Sequence, residues 1–143
     1  MNKHYEALKL ENQLCFPLYA CAKEIVRKYK PHLDKLDLTY TQYLVMMVMW
    51  DVKQINVKEL GDKLYLDSGT LTPLLKKLEA KSYITRTRSK FDERNLVIEI
   101  TEKGSSLRDQ AVSIPKAVGA CVNIDSEKAT ILYDTLYEIL EYL

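Results

Sequence analysis

The sequence predicts a mainly α fold that carries one small β-hairpin. Three observations lead there. Apolar residues recur at helical spacing along most of the 143 residues,. Glycine and proline are scarce, at four each, so long loops have little support,. Between residues 83 and 100 alone, the period changes from 3.6 to 2,. A chain of this length forms one domain. Its composition, 47% hydrophobic and 29% charged, is that of an ordinary globular protein,.

Residues 7–29 read as a first helix interrupted near Pro17, with Leu14, Leu18, Cys21 and Ile25 at helical spacing,. Pro31 and residues 34–39 mark a connection. Residues 40–50, YTQYLVMMVMW, are nearly all apolar and predict a helix buried on most sides,. Asn56 and Glu59 have the spacing of a capping box, and Val57, Leu60, Gly61 and Leu64 continue as a short amphipathic helix ending near Tyr65,. Ser68 is a candidate N-cap for the next helix, which places Leu71, Leu74, Leu75 and Leu78 on one stripe,. Opposite that stripe lie Gly69, Thr72, Pro73 and Lys76, flanked by Thr70 and Lys77. Residues 83–88 and 96–100 alternate as two strands around a polar loop, and Thr101 can cap the helix after them,. Residues 102–121 and 126–143 read as two further helices, the last with a broad apolar stripe suited to a partner subunit.

A helix, a short turn, a helix with a small, hydroxylated and basic face, then a hairpin with a basic tip together describe a winged helix-turn-helix. Net charge is only +1, but the basic residues are concentrated. Between Lys76 and Arg94 stand Lys76, Lys77, Lys81, Arg86, Arg88, Lys90 and Arg94, against Glu79, Asp92 and Glu93,. The physical logic fits duplex DNA. Small side chains (Ser68, Thr70, Thr72, Pro73) let the helix approach base edges in the major groove. Helix N-terminal amides can hold a phosphate. Lys76 and Lys77 add phosphate or guanine contacts, Arg86 and Arg88 line the wing, and Arg94, held by Asp92, can reach the neighbouring minor groove. The bland alternative is an ordinary solvated basic face.

The three cysteines do not form a disulfide framework,. Cys15 and Tyr19 are four apart and share a helix face. Cys21 is about 240° around and about 9 Å along the axis from Cys15, so the two cannot pair within an intact helix. Pro17 loosens the backbone beside Cys15. From the residues alone, Cys15 is equally a packed thiol or a reactive one. Cys21 and Cys121 read as packing residues. The polar N-terminus lacks a signal-peptide pattern and no apolar run approaches the ~18 residues of a membrane span, so a cytoplasmic location is expected. Two histidines without ligand spacing give no metal site, and no cofactor is called for,. A thiol peroxidase is disfavoured because the only strands form a hairpin.

The stretches LENQLCFPLYA, YKPHLDKLDLTYTQYLVM, LYLDSGTLTPLLKKLE and ITRTRSKFDERNLVIEIT resemble, in order, the MarR family of winged-helix repressors and its organic hydroperoxide resistance branch. DERN resembles that family's wing motif. The resemblance implies an intertwined homodimer, with residues 7–30 and 102–143 as dimerisation helices and 40–101 as the winged helix-turn-helix. It implies a repressor, not an enzyme, on a pseudo-palindromic double-stranded operator, released by organic hydroperoxide. It implies Cys15 as the redox sensor, hydrogen-bonded by Tyr29 and Tyr40, with Tyr19 assisting, across the subunit boundary. It further implies Cys121 as the resolving thiol of the other subunit, with Cys21 an extra thiol that could compete. One-cysteine members instead form mixed disulfides with small thiols, and other MarR-type repressors respond to a small aromatic ligand.

Overall fold

A computed structural model describes residues 3–88 and 96–143. Among them are seven α-helices and three strands: α1 (Cys15–Asp34), α2 (Tyr40–Val52), β1 (Gln54–Asn56), α3 (Val57–Leu64), α4 (Ser68–Ala80), β2 (Ile84–Arg88), β3 (Leu96–Ile100), α5 (Glu102–Ala111), α6 (Ile114–Gly119) and α7 (Ser126–Leu140). Two short 3₁₀ turns, Lys3–Leu8 and Leu10–Asn12, precede α1.

Prolines explain most departures from the expected boundaries. Pro17 does not interrupt α1; it lies in the first turn, where the missing N–H has no intrahelical partner to lose,. Pro31 does not end the helix either. α1 continues to Asp34 because the core takes Leu33 and then Leu36, both almost fully buried. That burial outweighs the one backbone bond forfeited. Pro115 does break a helix. It has no N–H for the Ala111 carbonyl, so the single helix expected over 102–121 divides into α5 and α6,.

The sheet is antiparallel with order β1-β3-β2. β2 and β3 are the expected hairpin arms. β1 was not visible in the sequence, since three residues are too few to show a period. Ile98 faces both Ile55 and Arg86 across the sheet and is fully buried. The core joins Val45, Met46 and Met49 of α2, Leu60 of α3, the four leucines of α4, and Ile84 and Ile98 of the sheet.

Three of the caps match side-chain chemistry. Thr39 and Gln42 form a capping box at α2, the Asn56 amide oxygen accepts the Glu59 N–H at 2.8 Å, and the Thr101 hydroxyl accepts the Gly104 N–H at 3.0 Å,. The helix turn between α3 and α4 passes through Tyr65 in the left-handed region, φ 55°. By contrast α7 has no buried residue, and Ile131, Leu132, Tyr133, Tyr137 and Ile139 are all exposed. Leu8, Leu14, Phe16 and Leu18 are likewise exposed at the other end of the chain. No helix among the described residues is long and apolar enough to cross a membrane.

Candidate nucleic-acid interface and cysteine sites

α4 buries Leu71, Leu74, Leu75 and Leu78 and leaves Ser68, Gly69, Thr70, Thr72, Pro73, Lys76 and Lys77 exposed. The stripe read from the sequence is the stripe the core uses. The cap differs: Asp67, not Ser68, is the N-cap, its carboxylate accepting the Thr70 N–H at 2.8 Å. Hydrogen bonds from Thr70 and the Gly69 amide hold that carboxyl below its usual range. A carboxylate therefore occupies the end of α4 where a phosphate was expected, and the positive face lies more than two turns on, at Lys76 and Lys77,. Aspartate and serine are N-caps of similar strength, so residue type alone does not decide between neighbouring Asp67 and Ser68. The Thr72 hydroxyl donates to the Ser68 carbonyl at 2.8 Å, so outward it presents a methyl and an acceptor oxygen. Thr39 and Thr41, at the start of α2, share a shallow concavity with Thr70, Pro73 and Lys77, a neighbourhood the linear sequence did not reveal.

On the wing, Arg86 is half-buried and committed. Its guanidinium donates to Glu79 Oε1 at 3.1 and 3.2 Å, and its backbone N–H donates to Oε2. The pair ties β2 to α4 and pulls the Glu79 carboxyl below its ordinary range. Arg86 thus also braces the wing against α4, a role that its place in the sequence did not suggest. Arg88 is exposed at the end of β2. Asp92 and Arg94 lie outside the described residues.

All three cysteines are exposed in the single chain, so none of them packs into that chain's own core. Cys15 is the first residue of α1, whose N-cap Leu14 provides no side-chain hydrogen bond. Tyr19 lies one turn on and is exposed, with Lys23 Nζ 5.9 Å from its ring centre. Cys121 sits in the turn between α6 and α7, its thiol 3.5 Å from the Ala117 carbonyl.

Tyr29 and Tyr40 are brought together, ring centres 4.9 Å apart, from α1 and α2. Burial and then the neighbouring Tyr29 push the Tyr40 phenol above its ordinary pKa, which keeps it a protonated donor,. Tyr29 lies fourteen residues beyond Cys15 on one continuous helix, about 21 Å along its axis,. Within one chain the thiol and the phenol pair do not meet. Among the described residues, no three of His, Cys, Asp and Glu gather as a metal site.

A helix-turn-helix with its leucine stripe buried and its polar face open, backed by a three-stranded wing, defines a winged-helix transcription regulator. A family model described as the SarA/Rot transcriptional regulators matches residues 27–111. The organic hydroperoxide resistance transcriptional regulator of Bacillus subtilis is 46% identical over 143 residues, covering 100% of this chain and 97% of that protein. The structure of reduced AbfR bound to DNA, a Staphylococcus epidermidis protein, superimposes with a TM-score of 0.78 at 31% identity, covering 96% of this chain and 95% of that one. Disulfide-formed AbfR superimposes with a TM-score of 0.66 at 31% identity, covering 94% and 95%. The chain belongs to the MarR-type winged-helix transcriptional regulators, in their organic hydroperoxide resistance branch.

Proposed function

We propose that this protein is a homodimeric repressor that holds a pseudo-palindromic operator when Cys15 is reduced and releases it when an organic hydroperoxide oxidises Cys15. The observation that carries this reading is the separation of Cys15 from the Tyr29–Tyr40 pair. An exposed thiol at an uncapped helix start and a phenol pair about 21 Å away complete each other only across two subunits,. Support comes from the exposed apolar faces of residues 7–30 and 102–143, which a second copy would cover,. AbfR, solved both reduced on DNA and with a disulfide formed, supports the same reading.

In this reading each residue has a task. α4 enters the major groove with Thr70, Thr72, Pro73 and Ser68 against base edges, while Lys76 and Lys77 neutralise phosphates. Two copies of α4 address half-sites about 34 Å apart. Residues 40–101 form the DNA-binding lobe, with Asp92 and Arg94 at the wing. Tyr29 and Tyr40 of one subunit donate to the Cys15 sulfur of the other, and Tyr19, one turn from that Cys15 on its own helix, assists,. The thiolate attacks the hydroperoxide, one O–O bond breaks, Cys15 becomes a sulfenic acid and the alcohol leaves with a proton. The Cys121 thiol of the partner then condenses with the sulfenic acid, forming a disulfide and releasing water.

Replacing Cys15 by Ser tests this. The variant is expected to bind DNA as the reduced protein does and to ignore hydroperoxide; release of DNA by the oxidised variant refutes the sensor assignment. On a non-reducing gel, Cys121→Ser is expected to lose the covalent dimer band. If the band survives, Cys21 or another pairing resolves the sulfenic acid. Loss of the band together with a small-thiol adduct on Cys15 by mass spectrometry of the wild type would place the protein among one-cysteine sensors.

One observation favours a second reading, release by a small aromatic ligand. Tyr43, Met47, Trp50, Arg108 and Pro115 line an open hollow of about 310 Å³ between α2 and the α5–α6 segment. An aromatic carboxylate that releases DNA after every thiol is blocked would establish it.

A further inference from the structure

The redox reading leaves open how a change at the phenol pair reaches the DNA-binding lobe. Tyr43, absent from the expected sensor set, is almost fully buried, and its ring centre lies 5.7 Å from Tyr29 and 6.3 Å from Tyr40. Seven residues on, two turns along the same face of α2, Trp50 meets Tyr43 edge-on at 6.2 Å,. The Trp50 indole N–H donates to the Gly104 carbonyl at 2.9 Å, inside the protein.

Gly104 stands at the joint between the wing and the C-terminal helices. Its N–H is held by Thr101, whose own hydroxyl donates to the Ser82 carbonyl and whose backbone N–H donates to the Tyr83 carbonyl. A side chain at position 104 would place its Cβ 2.2 Å from that Tyr83 oxygen, so α5 and the turn leaving α4 touch backbone to backbone. Movement of the first turn of α5 therefore moves the end of α4 and both arms of the wing hairpin, β2 and β3.

We infer that Tyr43 and Trp50 are positioning residues that carry oxidation of Cys15 from the Tyr29–Tyr40 pair to this joint, with the Trp50–Gly104 hydrogen bond as the element that is made or broken. The inference rests on the redox reading above. When the Cys15 sulfur gives up its phenol donors, Tyr29 and Tyr40 repack. A close-packed aromatic row does not absorb that displacement gradually. Tyr43 shifts, Trp50 moves with it, and its indole leaves the Gly104 carbonyl. The reverse coupling is required by linkage: DNA, by fixing the wing and α4, holds Trp50 in place and favours the reduced arrangement of the phenols.

Trp50 is the single tryptophan of the chain, so the wild-type protein carries its own probe. Its emission is expected to shift when one equivalent of tert-butyl hydroperoxide is added without DNA. The time course should match the loss of affinity for a duplex selected by the reduced protein from a randomised pool. Trp50→Phe keeps an aromatic ring and removes the indole donor. Because the hydrogen bond whose loss accompanies release is already absent, it is expected to bind the duplex several-fold more weakly than wild type when reduced. It should oxidise at Cys15 by mass spectrometry, yet lose less than threefold in affinity on oxidation where wild type loses tenfold or more. Tyr43→Leu, with Trp50 intact, is expected to leave the emission silent to oxidation, and Tyr43→Phe to restore it. Full release of DNA by oxidised Trp50→Phe overturns the inference, as does an unchanged Trp50 emission in wild type that releases DNA. Release by oxidised Cys15→Ser is a different result and overturns the redox reading instead.

Discussion

Gly61 sets the distance between the two helices of the DNA-binding motif, and replacing it by alanine tests that geometry. A Cβ at this position would lie 2.7 Å from the Leu66 carbonyl oxygen and 3.1 Å from Leu71 Cδ1. The first contact is with backbone, so the helix turn itself must retreat by several tenths of an ångström. That turn runs from Tyr65, in the left-handed region, through Leu66, whose N–H donates back to the Gly61 carbonyl at 3.0 Å, to the Asp67 cap of α4. Overpacking of this kind costs about 1–3 kcal/mol. A weakened cap adds about 1 kcal/mol. Alanine in a helix interior returns about 1 kcal/mol relative to glycine. The net expectation is a loss of about 1–3 kcal/mol, a fall in Tm of about 3–9 °C at fixed protomer concentration. Thermal unfolding followed at 222 nm measures it. Fluorescence anisotropy on a labelled duplex, well below that Tm, should show affinity reduced about tenfold because α4 is displaced. A Tm equal to or above that of wild type, with affinity unchanged, would mean that helix propensity dominates and that the close approach at Gly61 has no part in aiming α4.

Lys77→Ala should weaken binding to all duplex sequences alike and reduce the slope of log affinity against log salt by about 1.8, since a dimer loses two phosphate contacts; a salt titration reads it. Glu79→Gln acts through the Arg86 strut. Because the folded carboxyl lies below its ordinary range, the stability it contributes is complete at neutral pH and disappears as pH falls through that lowered value,. The variant should be up to about 1 kcal/mol less stable at pH 7, the pair being partly exposed, and equal to wild type in strong acid, as urea unfolding across pH would show,. Tyr40→Phe removes a donor to the proposed Cys15 thiolate and should slow its reaction with hydroperoxide about tenfold or more, measured by quenched mass spectrometry. Loss of reactivity by Tyr40→Phe equal to that of Cys15→Ser would instead point to a folding defect.

Much of the DNA-binding lobe was legible because its residues answer to local rules. The α4 leucines repeat at 3, 4 and 7, and the arms of the wing alternate; each pattern is a direct projection of which face the core receives. The features that escaped the sequence are decided by contacts far apart in the chain. Arg86 looks like any wing arginine until Glu79, a turn and a strand away, claims it. Pro31 looks like a helix stop until Leu33 and Leu36 are seen entering the core. Tyr43 is one residue in a run of apolar neighbours, and only the packing of α1 on α2 brings Tyr29 against it. For the thiols, spacing excluded a Cys15–Cys21 pair within the helix. The proposed sensor draws on two chains, and its halves lie apart in each one.

The proposed division of the sensor between two chains has a genetic meaning. Cys15 opens α1 and Tyr29 lies about 21 Å along it, against Tyr40 of α2, so under that proposal no subunit owns a complete sensor,. A chain without the thiol and a chain without the phenols are each inert as homodimers, yet together they assemble one whole site in every mixed dimer. A defect at the thiol and a defect at the phenol pair are therefore expected to complement each other in trans. Two defects in the same half are not.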